Sequence, residues 1–321
     1  MSQIEKLMRS HMVNFATYHG VDPSEELARK AGIKPEDVIR LNANENPYGP
    51  LDKVSAALSG LPLHLYPDPN QRKLRAALGE YTGQPIERIM AGAGGDEIID
   101  LLMRLFIAPG QKVLDCEPTF GMYSFSARLA EAEIVSVPRN STWDIDIPAM
   151  LEAIDDSARI VFLASPNNPT GVVYPDCLLD ELNRICSRHG IYHISDEAYE
   201  YFVYGSSRHY SPGSGTQSGG HTISLYSLSK AYGFAGWRIG YMAFPTHLLE
   251  SLKKIQDTNV ICPAMISQHA ALAALMSGRD YCQPYVKEMA AVRLSVLEVL
   301  SFLGDRIRVV EPTGAFYVLI E

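Results

Sequence analysis

Cysteine, positive charge and long apolar runs are all scarce in this chain of 321 residues. Its five cysteines stand far apart and form no Cys-x-x-Cys pair, which argues against a disulfide framework and against a zinc site. With 28 Lys and Arg against 37 Asp and Glu, the formal net charge is −9, which argues against nucleic acid as the main partner. No stretch approaches the roughly 18 apolar residues of a membrane span, and the N-terminus lacks the apolar core of a signal peptide. We therefore expect a cytoplasmic protein that holds no metal and does not cross a membrane.

What the chain does contain is a regular alternation of helical segments and short apolar runs. Its 46% hydrophobic and 20% charged residues are typical of a soluble globular protein. From residue 70 onward the apolar runs predict strands in RIMAGAG, KVLDCEP, ARIVFLASP, IYHISDEAY, HTISLYSLS and RIGYMAF. Because these runs are apolar on both faces and are separated by helices, they indicate an α/β fold with a mostly parallel sheet covered by helices on both faces. Ligands of such sheets bind beyond the carboxyl ends of the strands.

Residues 1–40 are expected to form an N-terminal arm, followed by a large domain (41–250) and a small domain (251–321). Within the arm, a helix is predicted over 24–31 with Ser24 as its N-cap, because a serine hydroxyl can accept a hydrogen bond from the first helical turn.

Two glycine- or proline-marked turns follow predicted strands. In AGAGGDE, Gly95 and Asp96 open a helix whose N-terminal N–H groups could face an anion, although the same glycines also suit a tight turn. ASPNNPTG, which contains Asn168, has the composition of an ordinary turn.

Two further strand ends carry charged side chains. Asp196 ends the strand in ISDEAYEYF, where it either pairs with a buried group or caps a helix. In SLSKAYGFAGWRIGYM, Lys230 follows a strand and Arg238 stands eight residues later. A lysine can form a Schiff base with an aldehyde, and an arginine can bind a phosphate with two hydrogen bonds.

Together these features match the needs of a pyridine aldehyde cofactor: a lysine for the imine, a carboxylate for the ring nitrogen, donors to the phenolic oxygen and an anion pocket for the phosphate. The joint occurrence of NPTG, D-E-A-Y and S-x-S-K with the later arginine resembles the fold-type I, class I/II aminotransferases that use pyridoxal phosphate, from about residue 40 to the end.

The resemblance implies a role for each motif residue. Lys230 would bind the cofactor aldehyde and then move the proton, and Asp196 would pair with the pyridinium nitrogen. Asn168 and Tyr199 would hydrogen-bond the phenolic oxygen, and Phe120 would stack on the ring. The residues expected to hold the phosphate are Gly95, Asp96, Ser227, Ser229 and Arg238.

The resemblance also implies a homodimer, with Tyr66 reaching the cofactor phosphate of the neighbouring subunit. The front half, including LNANENPYGP and LYPDPNQRKLRAAL, is similar to histidinol-phosphate aminotransferases, and Tyr18 and Asn44 are its candidate substrate residues. The back half, including DEAYEYFVY and FAGWRIGYM, looks more like aspartate and aromatic aminotransferases.

The expected reaction is therefore transfer between histidinol phosphate and 2-oxoglutarate, as in histidine biosynthesis. The alternatives are an aspartate or aromatic aminotransferase, a decarboxylase using the same pocket, and a catalytically impaired or chimeric protein that binds the cofactor. By comparison with the family, the small domain is expected to be incomplete at its C-terminus and to lack a substrate-binding arginine.

Several other residues are expected to be structural. His193 is predicted to be a packed core histidine, His189 and His209 to lie at the surface, and Trp237 to serve packing. The glycine- and serine-rich segment 211–220 is predicted to be a surface loop.

Overall fold

The computed structural model describes residues 4, 7–13, 15–18, 20–215 and 218–321, which form two compact units, Met1–Glu45 and Asn46–Glu321. The first unit contains helices α1 (Ser10–Val13) and α2 (Ser24–Ala31). The predicted α2 is present, but Ser24 as its N-cap is wrong. Pro23 occupies that position and offers no side-chain hydrogen bond, while Glu25 and Glu26 in the first turn favour the helix through its dipole.

The second unit is built around a sheet of seven strands within the described residues, in the order β1-β7-β6-β5-β4-β2-β3. The strands are β1 (Ile89–Gly92), β2 (Lys112–Asp115), β3 (Glu133–Ser136), β4 (Ala158–Ala164), β5 (Tyr192–Asp196), β6 (Thr222–Ser227) and β7 (Gly240–Ala243). Only β7 runs against its neighbours, β1 and β6. Strands β8 (Val309–Val310) and β9 (Leu319–Ile320) form a separate antiparallel pair.

Helices follow most of these strands. They are α3 (Asp52–Ala56), α4 (Arg72–Thr82), α5 (Gly95–Phe106), α6 (Met122–Leu129), α7 (Ile147–Ala153), α8 (Asp176–His189), α9 (Leu228–Ala231), α10 (Leu249–Asp257), α11 (Met265–Leu275) and α12 (Gln283–Ser301). Within the described ranges, none of them is long and apolar enough to cross a bilayer.

The central strands are buried on both faces. In β4, Ile160 and Phe162 belong to one apolar cluster, while Val161 and Leu163 belong to another on the opposite face. Burial on both faces explains why the strands appear in the sequence as unbroken apolar runs. The α/β fold with a mostly parallel sheet is confirmed, whereas the predicted boundaries at residues 40 and 250 stay predictions.

One edge of the sheet collects the strand-end segments. Ala164 pairs with Asp196, and Gly240 at the start of the reversed strand β7 pairs with both Gly92 and Ser227. The segments after β1, β4, β5 and β6 and the residues before β7 therefore meet at this edge.

The segment 211–220 is not simply a surface loop. Pro212 is buried, and the Ser211 hydroxyl donates to the carboxylate of Glu197, which is 1% exposed. Two of its residues, 216 and 217, lie outside the described residues.

Candidate active site

A glycine turn and an arginine form one corner of the strand-end edge. Gly94, at φ 89°, turns the chain from β1 into α5, and a Cβ atom there would lie 2.7 Å from Nη2 of Arg238. Arg238, itself in the left-handed region at φ 49°, donates from Nη2 to Oδ2 of Asp96 over 2.9 Å. This side chain is half exposed, so it can reach a ligand as well as Asp96. The guanidinium and the N-terminus of α5, where Gly95 lies, provide the donors and positive potential of an anion site.

The carboxylate of Asp196 lies at the end of β5 and accepts two hydrogen bonds. Tyr123 donates its hydroxyl to Oδ2 over 2.6 Å, and the Ala198 N–H donates to Oδ1 over 3.2 Å. The residues that follow Asp196 form turns, so the carboxylate does not cap a helix there. Burial raises the pKa of Asp196 although both donors lower it. A cation beside this carboxylate would stabilise its ionised form.

Sequence reasoning missed Tyr123, the hydroxyl partner of Asp196. Its fully buried ring stacks on Phe162 with centroids 4.6 Å apart, and Phe120 meets it edge-on at 5.6 Å. In the sequence, only its position three residues after Phe120 pointed to Tyr123, and that spacing is not specific to a carboxylate partner.

Lys230 is presented by the short helix α9. The Ser227 hydroxyl caps this helix by accepting from the Ser229 N–H over 3.2 Å, and Asn46 donates to the Lys230 carbonyl over 2.8 Å. The lysine Nζ lies 5.7 Å from the centroid of the Tyr199 ring and 6.0 Å from that of Phe316. Both distances are within the range of a cation–π contact, so the two rings place the amine at the strand-end edge.

The buried Tyr199 bonds to a residue near the end of the chain. Its hydroxyl shares a hydrogen bond with that of Tyr317, and its ring meets Phe316 edge-on at 5.1 Å. Neither Phe316 nor Tyr317 was predicted from sequence, because nothing in GAFYVLIE signals contact with a residue over a hundred positions earlier.

The other predicted site residues are more scattered. Asn168 is half-buried in the turn after β4, where the fully buried Asn167 holds the turn by accepting from the Thr170 N–H and hydroxyl. Tyr66 is 92% exposed. In the first unit, Tyr18 is exposed and Asn44 adopts a left-handed backbone.

The structure confirms two of the three histidine predictions. His193 is confirmed as a packed core residue, since it is fully buried against Asn183 and burial lowers its pKa to about 3. His189 is exposed as predicted. His209 as a surface residue is wrong, because its Nε2 lies 2.9 Å from the buried Glu197 carboxylate.

Comparison with known proteins places the chain in a family. The sequence profile of "Aminotransferase class I and II" matches residues 36–321. The chain belongs to this family. The resemblance to aminotransferases that use pyridoxal phosphate is thereby confirmed, and members of the family are enzymes that depend on that cofactor.

Relatives in this aminotransferase family share about two fifths of the aligned residues. Histidinol-phosphate aminotransferase 1 of Arabidopsis thaliana is 38% identical over 86% of this chain, and that of Roseiflexus castenholzii is 40% identical over 84%. The likeness thus extends beyond the front half. The chain spans 64% of the length of the Arabidopsis protein and 73% of the Roseiflexus one.

Solved structures share the fold. An aspartate aminotransferase from Thermus thermophilus with maleate superimposes with a TM-score of 0.86 at 26% identity, covering 98% of this chain and 84% of its own. An aromatic aminotransferase from Pyrococcus horikoshii has a TM-score of 0.81 at 29% identity, covering 91% and 81%.

Proposed function

We propose that this protein is a pyridoxal-phosphate-dependent aminotransferase that moves an amino group between histidinol phosphate and 2-oxoglutarate. The observation that carries the proposal is the set of relatives named histidinol-phosphate aminotransferase, which align at 35–40% identity over 84–94% of this chain. The strand-end cluster supports it, because its lysine, carboxylate and arginine suit that cofactor.

The residues at the strand ends fit pyridoxal phosphate. The absence of a Cβ atom at Gly94 leaves the Arg238 guanidinium close to the start of α5, where an anion gains both a charge and backbone donors. The N–H groups of Gly95 and Asp96 and the side chains of Ser227, Ser229 and Arg238 would hold the phosphate.

The opposite end of the cofactor fits the carboxylate of Asp196. Asp196 would pair with the pyridinium nitrogen, whose positive charge would lower the pKa that burial raises and so stabilise the ionised carboxylate. Phe120 would cover the ring face, and Asn168 and Tyr199 would donate to the phenolic oxygen.

Once bound, the cofactor supplies a covalent attachment point for the amine and an electron sink for the charge at the substrate Cα. This chain supplies the rest. Asp196 would keep the proton on the ring nitrogen, with Tyr123 fixing the orientation of the carboxylate. Lys230 would hold the aldehyde end of the cofactor, and its free Nζ would accept the proton from the substrate Cα. The rings of Tyr199 and Phe316 lie beside that amine.

We further propose a cytoplasmic homodimer. The ring of Tyr66 is 92% exposed, as expected of a side chain that reaches the cofactor phosphate of a second copy. Tyr18 and Asn44 would contribute to the substrate pocket. The division into an arm (1–40), a cofactor-binding domain (41–250) and a small domain (251–321) belongs to the same proposal.

The second candidate is an aspartate or aromatic aminotransferase. It is favoured by the structural neighbours, which bear those names and cover 91–98% of this chain. The two candidates differ in the donor, since only histidinol phosphate carries a phosphate.

The two are separated by comparing three donors, histidinol phosphate, aspartate and phenylalanine, at a fixed 2-oxoglutarate concentration. A pocket built to pair a phosphate loses its hydrogen bonds when the donor lacks one. We expect kcat/KM for histidinol phosphate to exceed the other two by at least about 10-fold. Equal or better use of aspartate or phenylalanine would favour the second candidate, and loss of carbon dioxide from either of these two amino acids would identify a decarboxylase.

A further inference from the structure

A segment near the end of the chain, residues 312–317, lies against the turn that follows β4. The N–H groups of Thr313 and Gly314 donate to the Gly171 carbonyl over 2.9 and 2.7 Å. A Cβ atom at Gly314 would lie 2.6 Å from a methyl carbon of Val173, so the segment can approach this closely only because the residue is glycine. These contacts attach the segment to the turn after β4.

The same segment is attached to the residues that follow β5. The Ala315 N–H donates to the Phe202 carbonyl over 2.8 Å, and the Ala315 carbonyl accepts from the Tyr204 hydroxyl over 2.5 Å. Ala315 is fully buried between these partners. Two strand-end segments therefore fix the place of the next two residues, Phe316 and Tyr317.

This attachment brings two tyrosine hydroxyls together beside Lys230. The hydroxyls of Tyr199 and Tyr317 share a hydrogen bond, and their rings stand at 77° with centroids 5.3 Å apart. Nζ of Lys230 lies 5.7 Å from the centroid of the Tyr199 ring. Burial raises the pKa of Tyr199 well above its usual value, and Tyr317 raises it further, so Tyr199 keeps its proton at neutral pH and can donate it.

The number of protons decides the direction of this hydrogen bond once a cofactor is bound. A tyrosine hydroxyl has one proton to donate, while its oxygen can also accept. In the proposed function, Tyr199 donates its proton to the phenolic oxygen of pyridoxal phosphate. The proton between the two tyrosines must then come from Tyr317. Hydrogen bonds in such a chain polarise one another at low dielectric constant, so a bond donated to the Tyr199 oxygen makes Tyr199 a stronger donor.

We propose that Tyr317 is a positioning residue, which donates to Tyr199 and thereby strengthens the hydrogen bond from Tyr199 to the phenolic oxygen of the cofactor. This inference rests on the proposed function. Its consequence is measurable, because the phenolic oxygen shares a proton with the Lys230 nitrogen, and loss of that proton changes the colour of the bound cofactor. Donation to the phenolic oxygen stabilises its negative charge, so the colour change occurs at a lower pH.

The test records the absorption spectrum of the full chain with bound pyridoxal phosphate as a function of pH. Tyr317→Phe keeps the ring and its packing but removes the hydroxyl, and should move the colour change upward by about half a pH unit. Tyr199→Phe should move it further in the same direction. Because Tyr317 acts only through Tyr199, the double variant should match Tyr199→Phe alone.

Two further variants separate this role from a structural one. Tyr204→Phe removes the hydroxyl that holds the Ala315 carbonyl, and should lower the thermal midpoint while leaving the colour change at the wild-type pH. Tyr210→Phe, which removes a hydroxyl bonded to Asp180 over 2.7 Å, is the matched control and should also leave the colour change in place.

Three results would overturn the inference and leave the proposed function intact. They are an unmoved colour change in Tyr317→Phe, a shift that adds in full to that of Tyr199→Phe, and an equal shift in Tyr204→Phe. A wild-type chain that forms no coloured complex with pyridoxal phosphate would contradict the proposed function itself, and this inference with it.

Discussion

Asp196 and Asp115 occupy equivalent places at the carboxyl ends of β5 and β2, yet their surroundings differ. Asp196 receives two hydrogen bonds, from the Tyr123 hydroxyl and the Ala198 N–H. Asp115 has no side-chain donor among the described residues, and the Cys116 N–H and the charge of Arg139 lower its pKa less than burial raises it. Burial raises the pKa of Tyr123, and both carboxylates raise it further, so this ring lies within the influence of each. Two carboxylates at equivalent strand ends therefore differ in hydrogen bonding, because different side chains pack around them.

We propose that the amino-transfer chemistry takes place at the β5 and β6 ends of the sheet, and the strongest test of this proposal is at Lys230. Replacing Lys230 with Ala should reduce turnover at least about a thousandfold, because the nucleophile and the proton carrier are lost together. Turnover with histidinol phosphate and borohydride trapping of the cofactor are the measurements. Lys254→Ala, at an exposed position, is the matched control. A trapped adduct on another lysine would contradict the assignment.

The next test exchanges each of the two carboxylates for its amide. Asp196→Asn should still bind pyridoxal phosphate but should lose about 100-fold in kcat, because a neutral amide no longer stabilises the protonated ring nitrogen. Asp115→Asn should instead raise the thermal midpoint, because it removes a buried carboxylate that has no side-chain donor among the described residues. If Asp196→Asn turns over at nearly the normal rate, the carboxylate only organises the turn that follows β5, and the contrast between the two strand ends fails.

The smallest effect is expected from removing the one side-chain hydroxyl that donates to Asp196. Tyr123→Phe keeps the ring stacked on Phe162 but removes the donor to Asp196, and should lower kcat about tenfold. This hydrogen bond lowers the pKa of Asp196, so its loss raises that pKa further above the usual value. The carboxylate is then protonated up to a higher pH, and the acidic limb of the pH–kcat profile should move upward.

The control for that shift is Tyr192→Phe, which removes a hydroxyl on the same strand as Asp196 but bonded to His247. It should leave the profile in place. An unchanged acidic limb in Tyr123→Phe would show that Asp196 does not set it.

Much of the architecture could be predicted because local patterns specify it. Burial on both faces makes a parallel strand apolar throughout, and β4, with Ile160 and Val161 facing different cores, illustrates the case. The places of Asp196 and Lys230 at strand ends were also predictable, because each lies at the end of such a run and strand ends in this class of sheet converge. Their proposed roles rest on the resemblance to the family.

The partners of those residues were not predictable. Tyr123 and Tyr317 lie 73 and 118 positions from the residues that they bond, and no periodicity records such a contact. Ser24 failed as a helix cap because Pro23 occupies that position, and His209 failed as a surface residue because its partner Glu197 lies on another segment.

By itself, the sequence determined the strands, the helices and the order of chemical groups along the strand-end edge, because hydrophobic period and turn chemistry act over a few residues. The tertiary structure alone decided which buried carboxylate has a side-chain donor. Solvation and hydrogen bonding depend on atoms within a few ångströms, whatever their separation in the chain. The difference between Asp196 and Asp115 exists only after the sheet and α6 have packed together.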